Sequence, residues 1–151
     1  MCALTKSNLM EGENQFITPD GKRIDVAIVR LFQDVPPFLL FKVERFAVTN
    51  GKGMKNSSNF LCPDSIDMSR FMVNNIPSRQ YKLAGMICHR GNIDCGYYLT
   101  YVLNEDGESF VRLDSIGGEI AATISKDDFM KSNDFIKNSY LALYVCTGQL
   151  P

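Results

Sequence analysis

The stretch that decides the fold runs Tyr81-Lys82-Leu83-Ala84-Gly85-Met86-Ile87-Cys88-His89-Arg90-Gly91. It crosses Asn92-Ile93-Asp94-Cys95 and resumes as Gly96-Tyr97-Tyr98-Leu99-Thr100-Tyr101-Val102-Leu103-Asn104. Both halves are rich in aromatic and aliphatic residues, and glycines at 91 and 96 bracket a short polar connection, which is the pattern of two strands joined by a turn. Glu105-Asp106-Gly107 makes a second turn, and Ser109-Phe110-Val111-Arg112-Leu113-Asp114 supplies a third strand. Connections of hairpin length require antiparallel neighbours, because a parallel crossover needs a dozen or more residues.

Working outward, residues 119–124 read as another short strand and residues 139–146 as an aromatic-rich closing strand. Between them, Ser125 with Asp127 and Asp128 in the next turn predicts a helix over 125–131. Upstream, residues 38–46 read as a strand that opens as a continuous apolar run after Pro36-Pro37 and ends in alternation. Asn50-Gly51 predicts a tight hairpin turn, and the polar stretch to Asn59 its tip or a loop. Asp67 with Met68, Phe71 and Met72 predicts a short helix over 67–74. Strands at 15–18 and 23–33 flank the turn Pro19-Asp20-Gly21, and residues 1–14 read as a flexible lead-in. The fold class is α+β, a mainly antiparallel sheet with one or two short helices.

The bulk properties exclude several classes of function. The 151 residues suit one domain, and 45% hydrophobic with 22% charged residues is a globular composition. A net charge of −1 leaves no electrostatic footprint for nucleic acid. No apolar run approaches the ~20 residues that span a bilayer, and the first fifteen residues lack an apolar signal-peptide centre, so no membrane role is expected. The five cysteines, Cys2, Cys62, Cys88, Cys95 and Cys146, are odd in number and lack Cys-x-x-Cys spacing. Reduced thiols in the cytoplasm or nucleus fit this better than disulfides. Cys88, His89 and Cys95 do not form a metal set, since adjacent strand residues point to opposite faces. No metal and no cofactor are expected.

Several segments together resemble the ubiquitin-specific protease family. His89-Arg90-Gly91, four residues, then Gly96-Tyr97-Tyr98 is similar to that family's His-x-Gly followed by Gly-His-Tyr. Phe110-Val111-Arg112-Leu113-Asp114 resembles its aromatic-x-x-Phe-Asp/Asn, and residues 138–145 its closing strand. Val35-Pro36-Pro37-Phe38-Leu39-Leu40 through Arg45-Phe46, and Phe60-Leu61-Cys62-Pro63 with Ile66-Asp67-Met68, resemble its upstream segments in the same order. The resemblance implies the C-terminal half of a catalytic domain, the palm half of a papain-like fold, with residues 15–151 forming a partial domain.

Two departures matter. Tyr97 stands where the resemblance places the catalytic histidine, and the family's Asn-x-Gly-Asn-Thr-Cys nucleophile segment has no counterpart here. Asp114 stands where the orienting acid belongs. A thiol protease needs a base that titrates near working pH. A phenol titrates ~3.5 units above imidazole, a disadvantage of about 5 kcal/mol at neutral pH. The triad positions Tyr97 and Asp114 are therefore expected to be degenerate, with the Tyr97 hydroxyl donating to Asp114 as a structural tie. His89 is not the family's catalytic histidine. Cys95 would need a base or a positive neighbour such as Arg90 to activate it, and the adjacent Asp94 works against a thiolate, so an ordinary loop cysteine is expected.

The resemblance also implies a channel for a ubiquitin tail, walled by Gly91, Gly96, Tyr97, Tyr98, Ile116 and Gly117, with Gly96 permitting close approach of a backbone. Three functions follow. One is a non-catalytic module that binds ubiquitin, a ubiquitin-like protein or another protein partner. A second is a fragment of an active cysteine deubiquitinase whose nucleophile lies elsewhere. A third is a structural subunit that self-associates or binds a partner through an exposed sheet face.

Overall fold

The computed structural model describes residues 8–73, 79–114 and 120–147. They fall into two compact units, one built from residues up to Val35 and from Met68 onward to 73, the other from residues 36–67, 79–114 and 120–147. The sequence predicts one partial domain over 15–151; within that span the chain leaves the first unit at Val35 and returns to it at Met68.

In the first unit, β1 (Asn8–Met10) pairs antiparallel with β4 (Val26–Ile28), placing Leu9 opposite Ala27. The lead-in is thus structured from Asn8 onward, because a strand partner is available for it. Between them, β2 (Phe16–Ile17) and β3 (Arg23–Ile24) form the hairpin expected around Pro19-Asp20-Gly21. Gly21 has a φ of 80°, and the Thr18 hydroxyl accepts from the Lys22 amide at 3.1 Å to close the turn. The expected strand over 23–33 is broken into β3, β4 and a single bridge from Phe32 to Met72. The expected helix over 67–74 is only a 3₁₀ turn, Met68–Phe71. Phe32 explains the shortfall: its amide donates to Phe71 O at 2.8 Å and its carbonyl accepts from the Val73 amide at 2.9 Å. Those backbone groups are taken, so the helix cannot propagate.

The second unit holds the sheet foreseen from residues 81–114. Its strands are β5 (Phe38–Lys42), β8 (Ser65–Asp67), β9 (Gln80–Gly91), β10 (Gly96–Leu103), β11 (Ser109–Asp114), β12 (Ile120–Ser125) and β13 (Ser139–Cys146). The order is β12-β11-β10-β9-β13-β5, with β8 also pairing β9, and every pairing is antiparallel. The twelve-residue β9 lies at the centre, and Tyr81, Leu83, Met86 and Cys88 along it are buried. Asp67 was expected to cap a helix; it ends β8 opposite Gln80 instead.

Two short helices cover one face. α1 (Lys126–Lys131) begins as foreseen, with the Ser125 side chain accepting from the Asp128 amide. α2 (Asn133–Asn138) was not foreseen, although Ser132 caps it in the same way from the Phe135 amide. Phe129 of α1 is fully buried, stacked on Tyr101 at 4.3 Å and packed against Phe110 at 4.7 Å and Phe135 at 5.4 Å. The other face is open: Leu40 is 64% exposed, Val102 43%, Leu113 41% and Leu143 36%. This matches the exposed apolar sheet face expected from the sequence.

A separate hairpin, β6 (Phe46–Thr49) and β7 (Lys52–Lys55), turns at Asn50 and Gly51, whose φ values of 52° and 73° are those a two-residue primed turn demands. The single strand expected over 38–46 is therefore two strands with a break. Arg45 causes it. The residue is 2% exposed, its Nε donating to Ser139 O at 3.0 Å and its terminal nitrogens to the carbonyls of Asn56, Ser58 and Ile136 and to Ser139 Oγ. One guanidinium thereby ties the hairpin, the following loop, α2 and β13.

Replacing Arg45 with alanine should cost about 3–4 kcal/mol, since several buried acceptors lose their donor together. Arg45→Lys should lose at least half as much, because an ammonium has three donors and no planar fork. Urea midpoints would show this, and a lysine variant as stable as wild type would refute the assignment.

Candidate functional site

Strand register gathers most of the residues singled out in the sequence at one corner of the sheet. Gly96 faces Gly91, Tyr97 faces Arg90 and Tyr98 faces His89 across β9 and β10. Asp114 ends β11 opposite Leu99, so it shares a face with Tyr97 two residues away. Ile116 and Gly117 lie outside the described residues.

Both glycines have a reason inside the fold. Gly91 has a φ of 103°, and a Cβ there would collide with Cys95 O and the Gly96 Cα. A Cβ on Gly96 would collide with the His89 imidazole and Arg90 O. The space that Gly96 leaves free is thus filled by the His89 ring. The turn between them is closed by Asn92, whose side-chain oxygen accepts from the Asp94 and Cys95 amides at 3.0 and 2.7 Å.

His89 is 6% exposed and lies edge-on to Phe46 at 5.1 Å and Tyr98 at 5.0 Å. Its Nδ1 has no hydrogen-bond partner among the described residues. Burial lowers its pKa, and the nearby Lys55 ammonium lowers it further. The ring is therefore neutral at pH 7. Lys55 donates to the carbonyls of His89 and Gly91 at 2.6 and 3.0 Å and to Asn138 Oδ1 at 3.1 Å, fixing the β6–β7 hairpin beside this corner.

Tyr97 belongs to a different network, on the helix-covered face. Among the described residues its hydroxyl is hydrogen-bonded to Arg90, whose Nη1 donates at 3.4 Å. Arg90 is held by Asp134 of α2 through a two-point contact at 2.8 and 2.6 Å. The same carboxylate accepts from the Tyr101 hydroxyl at 2.5 Å and the Asn138 amide at 3.3 Å. Asp134 is 4% exposed. Burial pushes its carboxyl up, but Arg90, then Tyr101 and Asn138, outweigh burial and hold it below the usual value. Arg90 is raised by the same contact, Asp134 first and Tyr97 second. Asp134 was missed in the sequence because it belongs to the unforeseen helix; the Ser132-x-x-Phe135 start was its available signal.

The thiols offer no activated nucleophile in the core. Burial pushes Cys62 up to about 11 and Cys88 higher still. Cys95 is exposed on the turn, and Cys146 is partly buried. No hydrogen bond joins His89 to a cysteine or a carboxylate among the described residues. Nor do those residues contain a cluster of three or more metal-ligating side chains.

The family model described as ubiquitin carboxyl-terminal hydrolase matches residues 6–144. The chain belongs to this family. Within the ubiquitin carboxyl-terminal hydrolases, it is 26% identical over 120 residues to ubiquitin carboxyl-terminal hydrolase 15 of Saccharomyces cerevisiae. That alignment spans 70% of this chain and 10% of the relative. Among solved structures, the fold is similar to a SAGA Ubp8/Sgf11/Sus1/Sgf73 deubiquitinase module with a substituted Ubp8, at a TM-score of 0.75, 20% identity, and coverage of 99% of this chain and 32% of that chain. The module bound to ubiquitin aldehyde gives 0.76 at 16% identity, again over 99% of this chain and 32% of that one. The chain thus spans about a third of the solved hydrolase chains it resembles.

Stability should fall with acid in two separate windows. His89 has a folded pKa below its unfolded ~6.5, so its contribution is complete above that value and is lost as pH drops through the folded one. Asp134 behaves alike below its unfolded ~3.9. Urea midpoints between pH 8 and 3 should show both limbs; His89→Gln should flatten the first and Asp134→Asn the second. A flat wild-type profile would contradict the assignment.

Proposed function

We propose that this chain is a non-catalytic member of the family that acts by binding ubiquitin. The observation that carries the reading is position 97: a phenol stands where the resemblance places the imidazole base, and its hydroxyl is engaged by Arg90. A phenol whose oxygen accepts from a guanidinium is a poor substitute for an imidazole as the base of a thiol. His89 does not compensate, because it is walled by Phe46, Tyr98 and Gly96 and lacks a carboxylate partner among the described residues. Asp114 keeps its place on β11 opposite Leu99, and Tyr97 and Asp114 are degenerate triad positions in this reading.

Binding has a surface to use. Tyr98 is 47% exposed beside Gly91 and Gly96, the wall proposed for a ubiquitin tail. Two of the structurally similar modules are bound to monoubiquitin and to ubiquitin aldehyde, which supports ubiquitin as the partner proposed here. The free thiols at Cys62, Cys88, Cys95 and Cys146 suit a cytoplasmic or nuclear location, and no helix among the described residues is long and apolar enough to cross a membrane.

A second reading rests on length. The chain spans 32% of the solved relatives and 10% of the curated one, as a piece of an active deubiquitinase would. Position 97 weighs against it even when a partner supplies the thiol.

Titrating ¹⁵N-labelled ubiquitin with the chain should shift resonances of its C-terminal tail, and Tyr98→Ala should weaken binding about tenfold, as loss of an exposed aromatic contact does. A ubiquitin C-terminal fluorogenic amide should remain uncleaved. Shifts absent at millimolar chain would refute the binding reading, and turnover that one cysteine substitution abolishes would refute the non-catalytic one.

A further inference from the structure

Among the described residues β5 ends the sheet, pairing with β13 on one side only. Pro37 O accepts from the Cys146 amide, and the Val43 amide donates to Tyr140 O. Backbone groups alternate in direction along a strand, so residues 37, 39, 41 and 43 bond to β13. Phe38, Leu40 and Lys42 direct their N–H and C=O groups to the free edge.

The side chains of the same three residues are exposed: Phe38 56%, Leu40 64%, and Lys42 with half of its side chain accessible. An open edge that also carries large apolar side chains is what monomeric proteins avoid. The usual protections are slight here. Pro36-Pro37 blocks only the entry to the strand, and the single edge charge, Lys42, lies at its far end, paired with Glu44 at 3.1 Å.

We infer that β5 pairs with β5 of a second copy of this chain, antiparallel about a two-fold axis through Leu40. The strand is self-complementary in that register. Leu40 meets Leu40, and Phe38 meets Lys42 twice, ring against cation, so like charges never face each other. Lys42 already points its ammonium at an aromatic ring, lying 6.0 Å from the Tyr140 centroid. A register shifted by two residues toward the C-terminus would place Lys42 against Lys42. Across the sheet, Leu40, Leu143, Gly85, Val102 and Val111 fall in one row. The two-fold joins the two rows into one apolar stripe. A net charge of −1 gives little repulsion between copies. Five residues per copy make a small interface, so micromolar association is expected. The inference stands apart from ubiquitin binding, since β5 is at the opposite side of β13 from β9 and β10.

Sedimentation of the full chain at ~100 μM should show a dimer that dissociates on dilution to ~1 μM. Leu40→Pro removes one outward N–H and leaves the β13 bonds intact, as proline on an edge strand can; it should give a folded monomer at both concentrations. Val102→Lys, on the same face but away from the edge, should leave the dimer unchanged. Under mild oxidation Leu40→Cys should form a 40–40 disulfide between copies, because facing Cα atoms in such a pair are ~5.5 Å apart, while Lys42→Cys should form no 42–42 link. A wild-type monomer at the higher concentration overturns the inference. So does a dimer that survives Leu40→Pro, or one that Val102→Lys dissolves.

Discussion

The geometry of the candidate site depends on one buried carboxylate. Asp134 reaches from α2 into the sheet, takes both ends of the Arg90 fork and the hydroxyl of Tyr101, and through Arg90 reaches Tyr97. Left alone at 4% exposure, that charge would be costly to keep ionised. Three donors offset the cost, and each comes from a different element: β9, β10 and the end of α2 itself. The helix is too short to be stable on its own. It is held by this network and by Phe135 against Phe129.

The consequence for chemistry is a division of the corner into two unlike faces. On the helix-covered face, the polar tips gathered round Asp134 are committed: Arg90 to Asp134 and Tyr97, Tyr101 to Asp134. On the open face, His89 is packed in rings and kept neutral, with Lys55 beside it as a cation. Proton shuttling needs a base, an orienting acid and a thiol on one line. Here the imidazole and the would-be base position lie on opposite faces of the sheet, because adjacent residues on paired strands alternate. The family's fold is retained around both faces.

Much of this was legible in the sequence. The glycines at 91, 96 and 107 and the apolar runs between them located β9, β10 and β11, since turn chemistry and hydrophobic runs are local signals. Asn50-Gly51 and Ser125 worked for the same reason. The failures share a cause as well: each depends on a partner distant in sequence. Arg45 looked like a residue in a continuing strand, but four carbonyls from loop, helix and β13 pull it inward. The helix over 67–74 looked sound until Phe32 claimed its backbone. Asp134 went unremarked because its helix is not foreseen and nothing near it announces Arg90, 44 residues away. The ring that needs the space at Gly96 belongs to His89, reached across the hairpin rather than along the chain.

The most direct test of the central claim is covalent capture. Ubiquitin carrying a C-terminal electrophile reacts with a thiol placed at the tail's end and activated there, independent of turnover. Incubated with this chain at pH 7.5 and followed by intact mass, it should leave the chain unmodified while unlabelled ubiquitin still binds. A single-ubiquitin adduct, mapped to Cys95 or any other cysteine and dependent on His89, would contradict the account.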